Sequence, residues 1–336
     1  MLPGSAPATA APPRRRFDRR RLPLAVTLAL FVTSAIVGVT MYPGMLSLQV
    51  FLNLLIDNAF LAIVAVGMTF VILSGGIDLS VGALLALTTM VSAWLIERQG
   101  WHPLVVIPLV LLMGGGFGAF MGLLIARLRL QPFLVTLAGL FLTRGLCYVI
   151  SIDSIAIEHP WIAGVSQMRV PVGPHAALSV GAVIALAVVA IGAWIAHGTE
   201  FGRTVYAIGG DEASAVLMGL RVRSTLVGVY ALSGFCSALA GVVFTFYMQS
   251  GYGLHGVGLE LDAIAAVVIG GTLLSGGVGY VAGTLLGVLM LGLIQTLIMF
   301  DGTLSSWWTR IVIGALLFVF CLLQRLMEAR RGEDDR

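Results

Sequence analysis

Charge is what this sequence has least of. Only 10% of its 336 residues are charged, against 59% that are hydrophobic. A soluble domain carries about a quarter charged residues, because water must wet its surface. So little charge excludes a water-facing surface over most of the chain and leaves lipid as its solvent. Lysine is missing altogether, and all 19 basic residues are arginine; this is a compositional bias and carries no functional reading. Cys147, Cys236 and Cys321 each sit inside an apolar run with no partner at pair spacing. They read as small hydrophobes, neither disulfides nor metal ligands. There is no P-loop, so ATP hydrolysis by this chain is excluded. HExxH, GxSxG and metal-ligand spacings are missing too, and the five histidines are scattered. No catalytic residue and no metal site is expected.

What is present is a series of long apolar runs. Leu104 to Ala126 and Ala176 to Ala196 contain no charged residue, and each exceeds the roughly 18–20 residues that cross hydrocarbon. Ten candidate spans follow, at about 23–41, 51–74, 80–96, 103–126, 133–151, 177–196, 224–248, 262–274, 280–300 and 307–324. The expected fold class is an all-α polytopic membrane protein of about ten transmembrane helices with Gly-rich breaks. The basic cluster Arg14–Arg21 before an apolar run has the outline of a signal peptide. That run reaches about Thr40, longer than the roughly 7–15 residues of a cleavable core, so it reads as a retained first helix. Residues 1–21 read as a disordered basic tail, 22–325 as the transmembrane domain and 326–336 as a charged tail.

The arginines orient the spans. Six precede the first run; Arg127, Arg129, Arg203, Arg221 and Arg223 fall in turns on the same side, and Arg325, Arg330, Arg331 and Arg336 at the C-terminus. By the positive-inside rule both termini face the cytoplasm. This distribution also explains the pI near 9.0 without invoking nucleic acid. The six tryptophans fall near span ends, as in an aromatic belt.

Polar and glycine punctuation marks the candidate sites. Gly75-Gly76-Ile77-Asp78-Leu79-Ser80-Val81-Gly82 separates two apolar spans. Paired glycines let the backbone leave helical geometry, and Asp78 or Ser80 can hold the freed amides or cap the next helix. A tight turn, a substrate contact and a gate all remain open there. Asp57 and Asn58 lie within the second run, and Thr143 and Arg144 within the fifth. Charge at membrane depth is costly unless paired or facing a cavity. These four read either as functional residues or as an Asp57–Arg144 pair that locks two helices. Glu260 and Asp262 open the next helix and complement its dipole. The segment Gly270 to Gly279, which begins with Gly270 and Gly271 and holds five glycines, reads as close packing or as a bend that lines a path. Ser74-Gly75-Gly76 is echoed by Ser275-Gly276-Gly277, as duplication or chance would produce.

The longest cytoplasmic segment, within 198–223, contains Gly202-Arg203-Thr204-Val205-Tyr206 through Gly209-Gly210-Asp211 to Ser214, Met218 and Gly219. From Asp211 and Glu212, apolar residues recur at 213, 216, 217 and 220. This is a short amphipathic helix that either rests on the membrane or docks into a partner.

These motifs together resemble the ribose/xylose-type permeases of bacterial ABC sugar importers. The resemblance is carried by GGIDLSVG at 75–82, Thr143-Arg144-Gly145, GRTVYAIGGDEASAVLMG at 202–219 and ELDAIAAVVIGG at 260–271. Within that family, the segments around Phe51, Asp57–Phe60, Gly67–Phe70 and Asp301–Trp308 resemble the YjfF-type permeases of galactofuranose importers. The resemblance implies an inner-membrane subunit that passes a monosaccharide, galactofuranose foremost and ribose or another pentose or hexose as the alternative. It implies three kinds of partner: a second permease subunit, as a heterodimer or a homodimer, a cytoplasmic ATPase that binds ATP and Mg, and a periplasmic sugar-binding protein. It makes Gly202, Arg203, Tyr206, Gly209, Gly210, Asp211, Ser214, Met218 and Gly219 the ATPase-coupling element. Candidates for the translocation path are Asp57, Asn58, Gly75, Gly76, Asp78, Ser80, Thr143, Arg144, Asp262, Gly270 and Gly271.

Overall fold

A computed structural model describes residues 22–334 apart from 304 and 306, with side chains from 24 to 322. The expectations for residues 1–21 and for the side chains of the C-terminal arginines lie outside the described residues. Fourteen α-helices follow one another among the described residues. They are α1 (Leu22–Met41), α2 (Leu48–Asp57), α3 (Ala59–Leu73), α4 (Val81–Ala93), α5 (Pro103–Leu128), α6 (Pro132–Ile150) and α7 (Pro160–Gln167). Then come α8 (Val180–Gly198), α9 (Glu200–Gly210), α10 (Glu212–Leu217), α11 (Val222–Met248), α12 (Leu259–Ile269), α13 (Val281–Asp301) and α14 (Trp307–Asp334).

Among the described residues, seven helices are long and apolar enough to cross a membrane: α1, α4 with the π turn that extends it to Arg98, α5, α6, α8, α11 and α13. Helices α2 and α3 make an eighth if counted as one span bent by 56°. The count therefore differs from the ten spans expected. An eleven-residue helix such as α12 is only about 16 Å long, half the hydrocarbon thickness. The described apolar part of α14 covers residues 307–322, also under the threshold. Apolar composition alone does not reveal that a run is interrupted. At the α2–α3 bend Asn58 is buried, and its side-chain amide donates to the Leu54 carbonyl at 2.9 Å.

α3 explains the centre of the molecule. Every one of its residues except Phe60 is buried, and a helix that is apolar all round belongs inside a bundle. α4 is almost as fully enclosed. α11 packs along both, and crosses α5 where glycine replaces bulk. A Cβ on Gly118 would collide with the Tyr230 carbonyl, and one on Gly122 would sit 2.8 Å from the Val227 Cα. Glycines at 114, 118 and 122 recur every four residues and so share one helix face, which lets the two backbones touch. Leu112, Phe141, Val149 and Trp194 are exposed, as apolar side chains facing lipid would be.

The polar segment 151–179 is structured. α7 packs there, β2 (Arg169–Gly173) pairs antiparallel with β3 (Ala176–Ser179), and β1 (Ile155–Ala156) pairs with β4 (Ser250–Gly251). Glu97 holds it down, its Oε1 accepting from the Glu158 and His159 amides at 2.8 and 2.9 Å. Strands this short carry too little alternation to be read from sequence.

Candidate functional site

Two helices end in the same way at the heart of the molecule. After α3, Gly75 has φ +82°, its N–H donates to Ile72 at 2.9 Å, and Gly76 N–H donates to Val71 at 3.0 Å. After α12, Gly271 has φ +92°, its N–H donates to Val268 at 2.9 Å, and Thr272 N–H donates to Val267 at 3.2 Å. Both are left-handed glycine closures that satisfy the last carbonyls of a helix. By local geometry, then, Gly75 corresponds to Gly271. The echo in the sequence pairs Gly75 with Gly276 instead, and the structure puts those two face to face: a Cβ on Gly276 would lie 3.0 Å from the Gly75 nitrogen. Deeper in the bundle the Thr69 and Thr284 hydroxyls are 2.7 Å apart, tying α3 to α13.

α9 lies across the end of α3 and the loop that leads from α12 to α13. Gly277 N–H donates to the Leu73 carbonyl at 2.9 Å, and Gly209 presses on that bond. A Cβ on Gly209 would overlap the Leu73 oxygen and the Gly277 nitrogen, whereas one on Gly210 would meet nothing within 4 Å. One turn back, the Tyr206 hydroxyl donates to the Gly279 carbonyl at 2.7 Å. Burial pushes the Tyr206 phenol up to about 12, helped by neighbouring Tyr280, so it keeps its proton. Gly202 lies against the carbonyls of Ile195 and Ala196, where a Cβ has no room, so α9 folds tightly back on α8. Arg203 on the outer face is exposed.

The single amphipathic helix expected from Asp211 is thus the second of two. Asp211 breaks the chain between α9 and α10 and caps α10, accepting from the amides of Ala213 and Ser214, each at 3.2 Å, and from the Ser214 hydroxyl. The Ser214 bonds hold the Asp211 carboxyl below its usual range. α10 buries Ala215 and leaves Leu217 88% and Met218 66% exposed. Gly219, at φ +76°, turns the chain back toward α11.

The intramembrane candidates divide. Asp78 and Ser80 are fully buried. Asp78 Oδ1 accepts from the Ser80 amide at 2.9 Å and its hydroxyl at 2.7 Å, and Oδ2 accepts from the Ser233 hydroxyl of α11 at 2.8 Å. Here the carboxylate holds a turn to a helix. Gly75 is exposed and Gly76 is covered by Tyr230. Thr143 is buried, its hydroxyl donating to Gly139 at 2.8 Å. Asp57 and Arg144 do not pair, which corrects that expectation. Arg144 Nη1 instead donates to the carbonyls of Gly253 at 2.5 Å and His255 at 2.8 Å, while Asp57 accepts from the Tyr247 hydroxyl at 3.3 Å. Carbonyls of an irregular segment satisfy a guanidinium as well as a carboxylate does, and they leave no trace in sequence. Asp262 lines a cavity at the far end of α13. Gly270 and Gly283 meet backbone to backbone. Ser233 and Leu73 escaped the sequence reading, Leu73 because it contributes only its main-chain carbonyl.

The comparisons with known proteins agree with one another. The family described as branched-chain amino acid transport system / permease component matches residues 50–321. The chain is 56% identical over 307 residues to the inner membrane ABC transporter permease protein YjfF of Escherichia coli K12, covering 91% of this chain and 93% of that one. It is 40% identical over 324 residues to the fructose import permease protein FruG of Bifidobacterium longum, covering 95% of each. It is 39% identical over 316 residues to the ribose import permease protein RbsC of Bacillus subtilis, covering 94% of this chain and 97% of that one. No solved structure matches. A family match across most of the chain, on a bundle of apolar helices, identifies it: the chain belongs to the branched-chain amino acid transport system / permease component family, as a multi-pass inner-membrane permease of the ABC type.

Proposed function

We propose that this chain is the membrane subunit of an ATP-binding-cassette importer for a monosaccharide. Galactofuranose is the first candidate, and ribose or another pentose or hexose the second. The observation that carries the reading is the seat of α9 on the end of α3 and on the loop between α12 and α13, with the apolar tip of α10 uncovered beside it. A rigid helix that touches the end of α3 and the loop leading into α13 can move both together when its outer face is pushed. Leu217 and Met218 supply the kind of exposed apolar anchor that enters a groove on a partner. That partner is a cytoplasmic ATPase, which binds the ATP and Mg; a periplasmic sugar-binding protein and a second permease complete the transporter. In this reading both termini are cytoplasmic, and α12 with α14 joins the eight longer crossings to make ten. The YjfF-type motifs favour galactofuranose, and identity to ribose and fructose import permeases supports the wider class.

The test is uptake of labelled galactofuranose and ribose by cells carrying the complete transporter. Uptake that stops on ATP depletion but survives collapse of the proton gradient supports the reading. The reverse pattern would establish an ion-coupled carrier. Sugar uptake that is unaffected when residues 203–218 are disrupted would leave the chain a non-transporting scaffold.

A further inference from the structure

At the end of α13 opposite its contact with α9, a cavity of about 510 Å³ opens between α12, α13 and α14. It lies roughly 25 Å along the helix from Gly279, at 1.5 Å per residue. Its volume is within the range of small-molecule sites. Asp262 of α12, Gln295 of α13, and Thr309 and Arg310 of α14 line it, with Trp307 at the rim. None of the first four makes a side-chain hydrogen bond to another described residue. Gln295 and Asp262 are half-buried, and polar groups in such places normally find partners.

The mix of groups narrows the occupant. Arg310 and Asp262 are near enough for their charges to interact, so the cavity favours neither an anion nor a cation. A lipid chain would leave four polar side chains unpaired, at a cost for each. A sugar ring fits all of them, because each hydroxyl both donates and accepts. The carboxylate can only accept; the guanidinium can only donate, and the amide and hydroxyl do either. The Trp307 indole is 72% exposed and offers a flat apolar face to the C–H side of a ring.

We propose that this cavity is a station for a neutral, hydroxyl-rich sugar ring, with Trp307 stacked on it, Asp262 accepting from its hydroxyls, and Arg310 and Gln295 donating to them. The proposal rests on the reading of this chain as a sugar permease and adds to it a place of contact.

Met299 lines the same cavity and is 79% exposed. Cys147 and Cys236 are buried, so Met299→Cys in a Cys321→Ser background presents one reactive thiol. Its labelling by a maleimide is followed in membranes that hold the assembled transporter, with D-ribose or methyl galactofuranoside added. Either sugar is expected to slow labelling saturably. Arg310→Gln and Trp307→Ala are each expected to raise the half-protecting concentration about tenfold, the loss of one strong contact. Labelling of these variants without sugar at one thiol only, with Cys147 and Cys236 still protected, shows that they are folded. An unchanged labelling rate in membranes that take up the same sugar overturns the station but not the transport reading. A thiol that is unreactive with or without sugar also overturns it, since the cavity is then a seam with another subunit. Membranes that take up no monosaccharide overturn the transport reading, and the station with it.

Discussion

The Gly277 amide donates to the Leu73 carbonyl at 2.9 Å, joining the loop after α12 to the last residue of α3. Gly209 of α9 is wedged against this bond. Movement of α9 must therefore reach the end of α3 and the loop between α12 and α13.

Gly209→Ala and Gly210→Ala should behave very differently. The first forces a methyl into backbone that has no room, and overpacking of this kind costs about 1–3 kcal/mol. The second adds a methyl in open space and should stay within about 0.5 kcal/mol of the parent. Thermal unfolding of the purified protein measures the difference. If α9 couples to an ATPase, Gly209→Ala should also lower the ratio of sugar moved to ATP hydrolysed. Equal effects from the two substitutions would remove Gly209 from this role.

Tyr206→Phe keeps the ring, which stacks on His197 at 5.9 Å, and deletes only the hydroxyl bond to Gly279. A loss of about 1 kcal/mol is expected, the usual worth of one hydrogen bond. With the phenol pushed up to about 12 by burial, the loss should be the same at neutral and at mildly alkaline pH. A loss that vanished as pH rose toward 9 would mean that the phenol had already ionised.

Ser233→Ala should destabilise more than its exposure-free, uncharged setting suggests. It leaves Asp78 Oδ2 without the hydroxyl it accepts from, and orphaning a buried polar group costs about 1–3 kcal/mol. Ser80→Ala spares the backbone amide bond to Asp78 and should cost less. A melting series in which Ser80→Ala lowers the midpoint more than Ser233→Ala does would contradict this arrangement.

Asp211 gives a pH dependence with a definite sign. Its carboxyl is lowered in the folded state by the Ser214 hydroxyl and amide, so the cap stabilises α10 above the ordinary carboxylate pKa. That contribution is lost as pH falls through the lowered, folded-state value. Amide exchange over 212–217 should stay slow from neutral pH to mildly acidic pH and quicken below the usual aspartate range. Asp211→Asn, which still caps, should abolish this acid step. An acid step that persists in Asp211→Asn would assign it to another group.

Much of this protein was legible without coordinates. Scarce charge and long apolar runs imply a polytopic membrane protein, and helices occupy all ten predicted positions. What composition does not show is where a run is interrupted. Nothing about composition at Asn58 or Gly270 says whether a helix bends, stops or continues; eight of the ten expected spans meet the length test, while α12 and the described part of α14 fall short of it. The short pieces α7 and β1–β4 carried too few residues for any period to register.

The candidate site divides along the same line. Sequence alone determined which segments matter, because glycine pairs and a charged amphipathic stretch stand out in an apolar chain. Tertiary structure alone decided what they touch. Arg144 turned to the carbonyls of Gly253 and His255 instead of to Asp57, and Gly209 came to rest on Leu73 and Gly277. The physical reason is common to both cases: the partners are main-chain atoms. Every residue carries those, so side-chain identity does not mark them, and only the fold selects which of them meet.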